Sequence, residues 1–217
     1  MQAGKKTRSR LRVLLAVLLL GSLLILPASA GTVDATYYNT GVLSPAEAAA
    51  LAGLPKGAVV VMTPTSGTFY TGETARQMIL SGEVQIISVA GVGSSSVGTA
   101  AFAKHIARIK SQPVAGIVVG YGDGSVYTEG PEGYYIGRPS NVAGVWYEEP
   151  ASRTLAELYE AGARPQLLVG HSKGNMDIAN ALFKLAAEGH SSWYAGTDFK
   201  TFGCGVNVPA ALKSFRQ

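Results

Sequence analysis

Short, unbroken apolar runs recur along this chain, at residues 58–63 (AVVVMT), 84–90 (VQIISVA), 114–119 (VAGIVV) and 166–169 (QLLV), and a further run opens at residues 199–202. A strand with one wet face alternates apolar and polar side chains, so continuous runs of this kind require a sheet covered on both faces. Helical stretches lie between them. Ser44-Pro45-Ala46-Glu47 has the form of a capping box with proline at the first helical position, which predicts a short helix ending near residue 52. Longer helices are predicted over about residues 99–110 and 175–188. Strand, helix, strand, helix implies parallel strands joined by crossovers, hence a three-layer α/β domain with a mostly parallel sheet.

That domain is expected to occupy residues 31–217, because residues 1–30 have the three parts of a secretory signal in order. Lys5, Lys6, Arg8, Arg10 and Arg12 form a basic region, residues 13–26 an apolar one, and Ala28-Ser29-Ala30 a cleavage site. The chain is therefore expected to be secreted or periplasmic after cleavage near Ala30, the alternative being an uncleaved N-terminal membrane anchor. The leader holds five of the 18 Lys and Arg and none of the 14 Asp and Glu, which leaves 13 basic against 14 acidic residues and a net charge of −1. The basic character belongs to the leader, and no nucleic-acid partner is inferred. The single Cys204 can form no internal disulfide and is expected to be a small buried residue.

One junction carries chemistry. Residues 170–174 read GHSKG, between the run PQLLV and the helical pattern MDIANALFKLAAEG. A serine at the tip of a strand-to-helix turn takes a strained backbone, and the flanking glycines let helix and strand pass close by. Its hydroxyl then projects from the carboxyl edge of the sheet, with the helix N-terminus and the Lys173 N–H behind it as an oxyanion donor. His171 is read as an orienting or packed residue, Lys173 as solvent-facing, and Asp177 as a complement to the helix dipole.

On this motif and the order of its strands, the chain resembles the α/β-hydrolases, and within them lipase- and esterase-like proteins with a GHSxG elbow. The resemblance implies an exported serine hydrolase cleaving a small-molecule or lipid ester through an acyl-enzyme on Ser172, with no metal or cofactor. It further implies a second oxyanion donor in a loop after an earlier strand, matched here to Tyr121 and Gly122 after VAGIVV. Residues 121–150, rich in Gly and Tyr, are expected to form an active-site loop or lid, with Tyr134, Tyr135 and Trp146 contacting substrate. A lipid or membrane surface is a further expected partner, and no sequence feature specifies an oligomeric state.

The triad is not completed. The family's order is Ser, then Asp or Glu, then His, yet the only histidine after Ser172 is His190. A helix of some fourteen residues rises about 20 Å, so His190 and Asp198 are expected at the opposite end of the sheet, and His105 on a helix surface. The chain also ends soon after its fifth expected strand, which reads as a hydrolase lacking its C-terminal part, with an exposed sheet edge, or a binding protein without a triad. Residues 91–98 (GVGSSSVG) raise a nucleotide-binding alternative, but the spacing is not GxGxxG and no Walker lysine follows. The plain reading is a compact turn.

Overall fold

A computed structural model describes residues 32–119, 149–203 and 205–217. Among them, seven strands form one sheet: β1 (Val59–Met62), β2 (Phe69–Thr71), β3 (Ile86–Val89), β4 (Val114–Ile117), β5 (Leu167–His171), β6 (Asp198–Phe202) and β7 (Ser214–Arg216). Their order is β2-β1-β4-β3-β5-β6-β7. The helices are α1 (Thr32–Tyr37), α2 (Pro45–Leu51), α3 (Gly72–Leu80), α4 (Ser96–Lys110), α5 (Pro150–Glu160) and α6 (Lys173–Ala187). The fold is α/β, with a mostly parallel sheet flanked by helices.

The continuous apolar runs do what the sequence predicts. Every residue of β1, β3 and β4 is buried, and successive residues feed opposite layers. Val59 and Val61 join Ile87, Ile117 and Leu168 in a core beneath α3, α5 and α6. Val60 and Met62 join Ile86, Val114 and Val169 in a second core beneath α2 and α4.

Three expectations are corrected. The run at β1 is antiparallel to both β2 and β4, because a hairpin rather than a crossover follows it, closed by Thr63 donating to Thr68 O through its hydroxyl at 3.0 Å. Residues 149 and 150, expected at the end of a loop, belong to a helix: Glu149 is the N-cap of α5 and Pro150 its first residue, where the missing proline N–H is harmless. The edge of β6 is not left open along its length, since Ser214, Phe215 and Arg216 of β7 pair parallel with Asp198, Phe199 and Lys200.

Tyr121, Gly122, Tyr134, Tyr135 and Trp146 lie outside the described residues, as do Cys204 and the leader. Among the described residues, no helix is long and apolar enough to cross a membrane.

Candidate functional site

Register fixes where Ser172 stands. Strand β5 lies between β3 and β6, with Gly170 opposite Val89 and His171 opposite Phe202. The ladder runs one step further, the Ser172 N–H donating to Phe202 O at 2.8 Å, and then the chain turns into α6. Ser172 makes that turn at φ 51° and ψ −120°. This conformation lies outside the left-handed well that L residues tolerate, and residues held so cost roughly 1–3 kcal/mol.

The two glycines of GHSKG are each required by a close approach. A Cβ on Gly174 would run into the carbonyl oxygen of Val89, since the first turn of α6 rides directly over the end of β3. A Cβ on Gly170 would collide with the Asn175 side chain and come within 2.9 Å of its Cα. Asn175 in turn fixes the turn from inside, its amide donating to Phe202 O at 2.9 Å and its backbone N–H to Ser172 O at 3.0 Å.

The loop beside Ser172 is the one that follows β3, at residues 91–95. A Cβ on Gly91 would sit 3.2 Å from Ser172 Cβ, 3.0 Å from His171 Nδ1 and 3.2 Å from Tyr38 Oη. Strand β4 is separated from β5 by β3. The same residues 91–98 do not present a phosphate site. Ser95 Oγ accepts from the N–H groups of Val97 and Gly98, and the buried Asp34 carboxylate accepts from Ser95 N–H at 3.0 Å, so the N-terminus of α4 is already filled.

Tyr38 ties this loop to the elbow. Its hydroxyl accepts from Gly91 N–H at 2.6 Å and lies 2.8 Å from His171 Nδ1, while Ser94 Oγ donates to Gly91 O at 2.6 Å. With the Tyr38 hydroxyl donating to Nδ1, the His171 ring is the tautomer protonated on Nε2. Burial lowers the His171 pKa, as expected of a ring packed against Tyr38 and Phe102.

Lys173 corrects the sequence reading outright. It is 5 % exposed and points into the protein, its ammonium 3.1 Å from Glu149 and 3.6 Å from Asp177. Lysine one position after the serine begins α6, and the i, i+4 spacing brings Asp177 onto the same inner face. Asp177 does more than complement the helix dipole: burial pushes its carboxyl up to about 6, against the pull of Lys173 and with the help of Glu149. Its Oδ1 accepts from Ser152 Oγ at 3.3 Å, and its Oδ2 meets no hydrogen-bond donor among the described residues.

All three histidines of the chain are described. His190 stands past the C-terminal end of α6, stacked on Trp193 with ring centroids 3.8 Å apart, and Asp198 opens β6 at the amino edge of the sheet, bonded to Ser214 and Lys213. His105 is exposed on α4. None of the three is paired with a carboxylate among the described residues. No group of three His, Cys, Asp or Glu among the described residues is placed to hold a metal.

Two cavities bear on the site. One, of about 310 Å³, is lined by Tyr37, Tyr38, Asn39, Ala101, Phe102, His105 and His171, and abuts the elbow. The other, of about 470 Å³, opens at the opposite edge between Gln166, Asp198, Lys200 and Lys213, far from Ser172. Sequence reasoning missed Tyr38, Glu149 and the 91–95 loop as parts of the site. Neighbours in a sheet are set by topology, and nothing local in TYYNT or YEEP announces the contact.

Comparison with protein-family models, with curated proteins and with solved structures finds no match to this chain, so what can be said of its activity rests on the geometry just described.

Proposed function

We propose that this chain is an exported serine hydrolase of the α/β-hydrolase type, cleaving a carboxylic ester through an acyl-enzyme on Ser172. The observation that carries the reading is the backbone of Ser172, φ 51° and ψ −120°, at a strand-to-helix turn whose two glycines are sterically obligatory. Strain of this order persists where surrounding structure enforces it, and it clusters at sites where a side chain must be presented.

The neighbouring groups supply a place for developing negative charge. Lys173 is the first residue of α6, so its N–H belongs to the positive end of a 15-residue helix. The second donor in this reading comes from the loop after β3, the strand next to β5. Gly91 N–H is committed to Tyr38, which makes Val92 N–H the next in line. An ester carbonyl seated between Lys173 N–H and Val92 N–H would be attacked by Ser172 Oγ, and the tetrahedral oxyanion held by both. The leader-like residues 1–30 support export, and a lipid or other apolar ester remains within the reading.

The test is mass-spectrometric mapping of fluorophosphonate labelling. Modification at Ser172, lost with hydrolysis in Ser172→Ala, is the expected result; a folded protein that resists labelling would sink the reading. The positions of the histidines favour a second reading, a binding protein that keeps the hydrolase shape without turnover. It predicts ligand-dependent melting shifts and no covalent adduct.

A further inference from the structure

The cavity beside the elbow has a definite chemical character. Among the described residues seven line it, five of them carrying aromatic or imidazole rings and none a carboxylate or an ammonium group. Tyr38 stands edge-on to His171 at 85°, with centroids 5.5 Å apart, and Phe102 closes the inner side 5.5 Å from Tyr38. Tyr37, 64 % exposed, forms the outer wall with its ring 5.9 Å from His171. Ala101 is the one small residue among them and leaves the space that the rings enclose.

Two of these walls touch the nucleophile's turn. Tyr38 Oη, His171 Nδ1 and Ser172 Cβ all lie within 3.2 Å of a single point, the position a Cβ would take on Gly91. A planar group in the cavity is therefore one short link away from a carbonyl at Ser172. At about 310 Å³ the cavity is at the small end of ligand sites, which fits a single ring better than a long acyl chain.

We propose that this cavity takes the aryl group of an aryl ester, on the leaving-group side of a substrate whose carbonyl sits at Ser172. The inference deepens the hydrolase reading and rests on it for the chemical step; the binding of an aryl ring does not.

The placement of the histidines supplies an independent argument for the same class. An alkyl ester must expel an alkoxide nearly as basic as hydroxide, whose conjugate acid has a pKa of about 15.7, and this needs a general acid. A phenol has a pKa of about 10, so its anion departs unprotonated. His171 gives Nδ1 to a tyrosine, His190 stacks on Trp193 beyond the far end of α6, and His105 is exposed on α4, so among the described residues no histidine is set up with a carboxylate to serve as that acid.

In the step, the Ser172 hydroxyl proton passes to solvent hydroxide and the Oγ–carbonyl bond forms. The bond from the carbonyl carbon to the aryl oxygen breaks, and the aryl oxide leaves with the bonding electrons. The acyl-serine left behind is itself an alkyl ester, so its attack by a second hydroxide, which releases the carboxylate and restores the Ser172 hydroxyl, is the slow step, and kcat/KM reports the expulsion of the aryl oxide.

The test begins with binding. With three histidines in the chain, their imidazole Cε1–H signals can be followed individually while phenol is titrated into the purified protein. His105 and His171 should shift saturably and His190 should not. Ala101→Leu, which fills the cavity, should weaken phenol binding at least tenfold. Tyr37→Ala, at an exposed position where folding is not at stake, should weaken it at least threefold. If His105 and His171 do not move, or if both variants bind phenol as the parent does, the proposal is overturned.

Turnover then tests the leaving group. Phenyl butyrate and benzyl butyrate carry the same ring but differ in leaving-group basicity, and kcat/KM should favour the phenyl ester at least 100-fold; equal values would overturn the aryl-oxide step. Fluorophosphonate labelling separates the two readings. Labelling without phenol binding removes the aryl site and keeps the hydrolase, whereas phenol binding without labelling keeps the site and removes the hydrolase.

Discussion

Helices α4 and α6 are both 15 residues long, lie on opposite faces of the sheet, carry a buried lysine each and border a serine with positive φ. They use these shared ingredients in opposite ways. On α4, Lys104 is fully buried, bonded to Glu47 at 3.0 Å and to Thr65 O. Glu47 is satisfied at both oxygens, accepting from Gly67 N–H at 3.0 Å and Ser44 N–H at 2.7 Å. Burial works to raise the Glu47 pKa, but these donors, Ser44 first and then Lys104 and Gly67, outweigh it and hold the carboxyl below its ordinary range. On α6, among the described residues, one ammonium faces two carboxylates, and an oxygen of Asp177 meets no donor. Counted over the described residues, the first arrangement is charge-balanced and complete. The second is neither, and it lies directly behind Ser172.

The largest expected effect comes from breaking the complete pair. Lys104→Met leaves a buried Glu47 charge without its counter-ion, and removal of one partner of a buried pair costs about 3–5 kcal/mol. Urea denaturation should show that loss at neutral pH.

The incomplete cluster should respond in the other direction. Asp177 titrates at about 6 in the folded protein against an ordinary 3.8, so the folded state binds a proton that the unfolded chain does not. Its contribution to stability therefore grows as pH falls from 7 through about 6, and is complete below 3.8. At pH 7 the ionised, buried carboxylate is a burden of order 2–3 kcal/mol, taking 1.36 kcal/mol per pKa unit. Asp177→Asn should stabilise the protein at pH 7 by up to that amount and change nothing near pH 3.5. A variant less stable at pH 7 would show that Lys173 needs both carboxylates.

These two clusters also mark how far the sequence could be read. The capping box at Ser44 and Glu47 was legible because its partners lie three residues apart, and the helix it predicts is present. Lys104, 57 residues further along, was not, since only the fold brings it to Glu47. Helix α3 left a usable trace that went unread, its buried Ala75, Met78 and Ile79 falling at helical spacing. Strand β2 left almost none, being three residues long with no buried side chain. At the site, the turn and its glycines were legible because strand, serine and helix are consecutive. Tyr38, Glu149 and the loop after β3 arrive from distant parts of the chain, and a single sequence does not show which strands are neighbours.

The two positive-φ serines sharpen the contrast on a smaller scale. Ser111 caps the C-terminus of α4 at φ 53° and ψ 34°, within the ordinary left-handed well, while Ser172 at ψ −120° is outside it. Glycine relieves strain at either place and gives back part of the gain as unfolded-state entropy. Ser172→Gly should therefore stabilise by about 1–2 kcal/mol and Ser111→Gly by less than about 1 kcal/mol. Thermal denaturation of the pair, with Ser172→Ala as a control that keeps the strain, reads the difference. Equal gains would mean the elbow stores nothing beyond a common left-handed turn.

The smallest effect isolates burial from charge count. Lys184, near the other end of α6, also faces two carboxylates, Glu160 at 2.7 Å and Glu188 at 3.1 Å, so it repeats the composition of the Lys173 cluster. Here the side chains are 23, 42 and 40 % exposed, and water screens them. Exposed pairs of this kind contribute about 0–1 kcal/mol, so Lys184→Met should lower stability by less than about 1 kcal/mol. Salt provides the decisive comparison. At 1 M ionic strength the screening length falls to about 3 Å, which should erase the Lys184→Met difference while leaving those of Lys104→Met and Asp177→Asn nearly intact. If salt diminished all three alike, the clusters of Lys104 and Lys173 would be reached by solvent, and the contrast between the helices would be one of sequence position and not of burial.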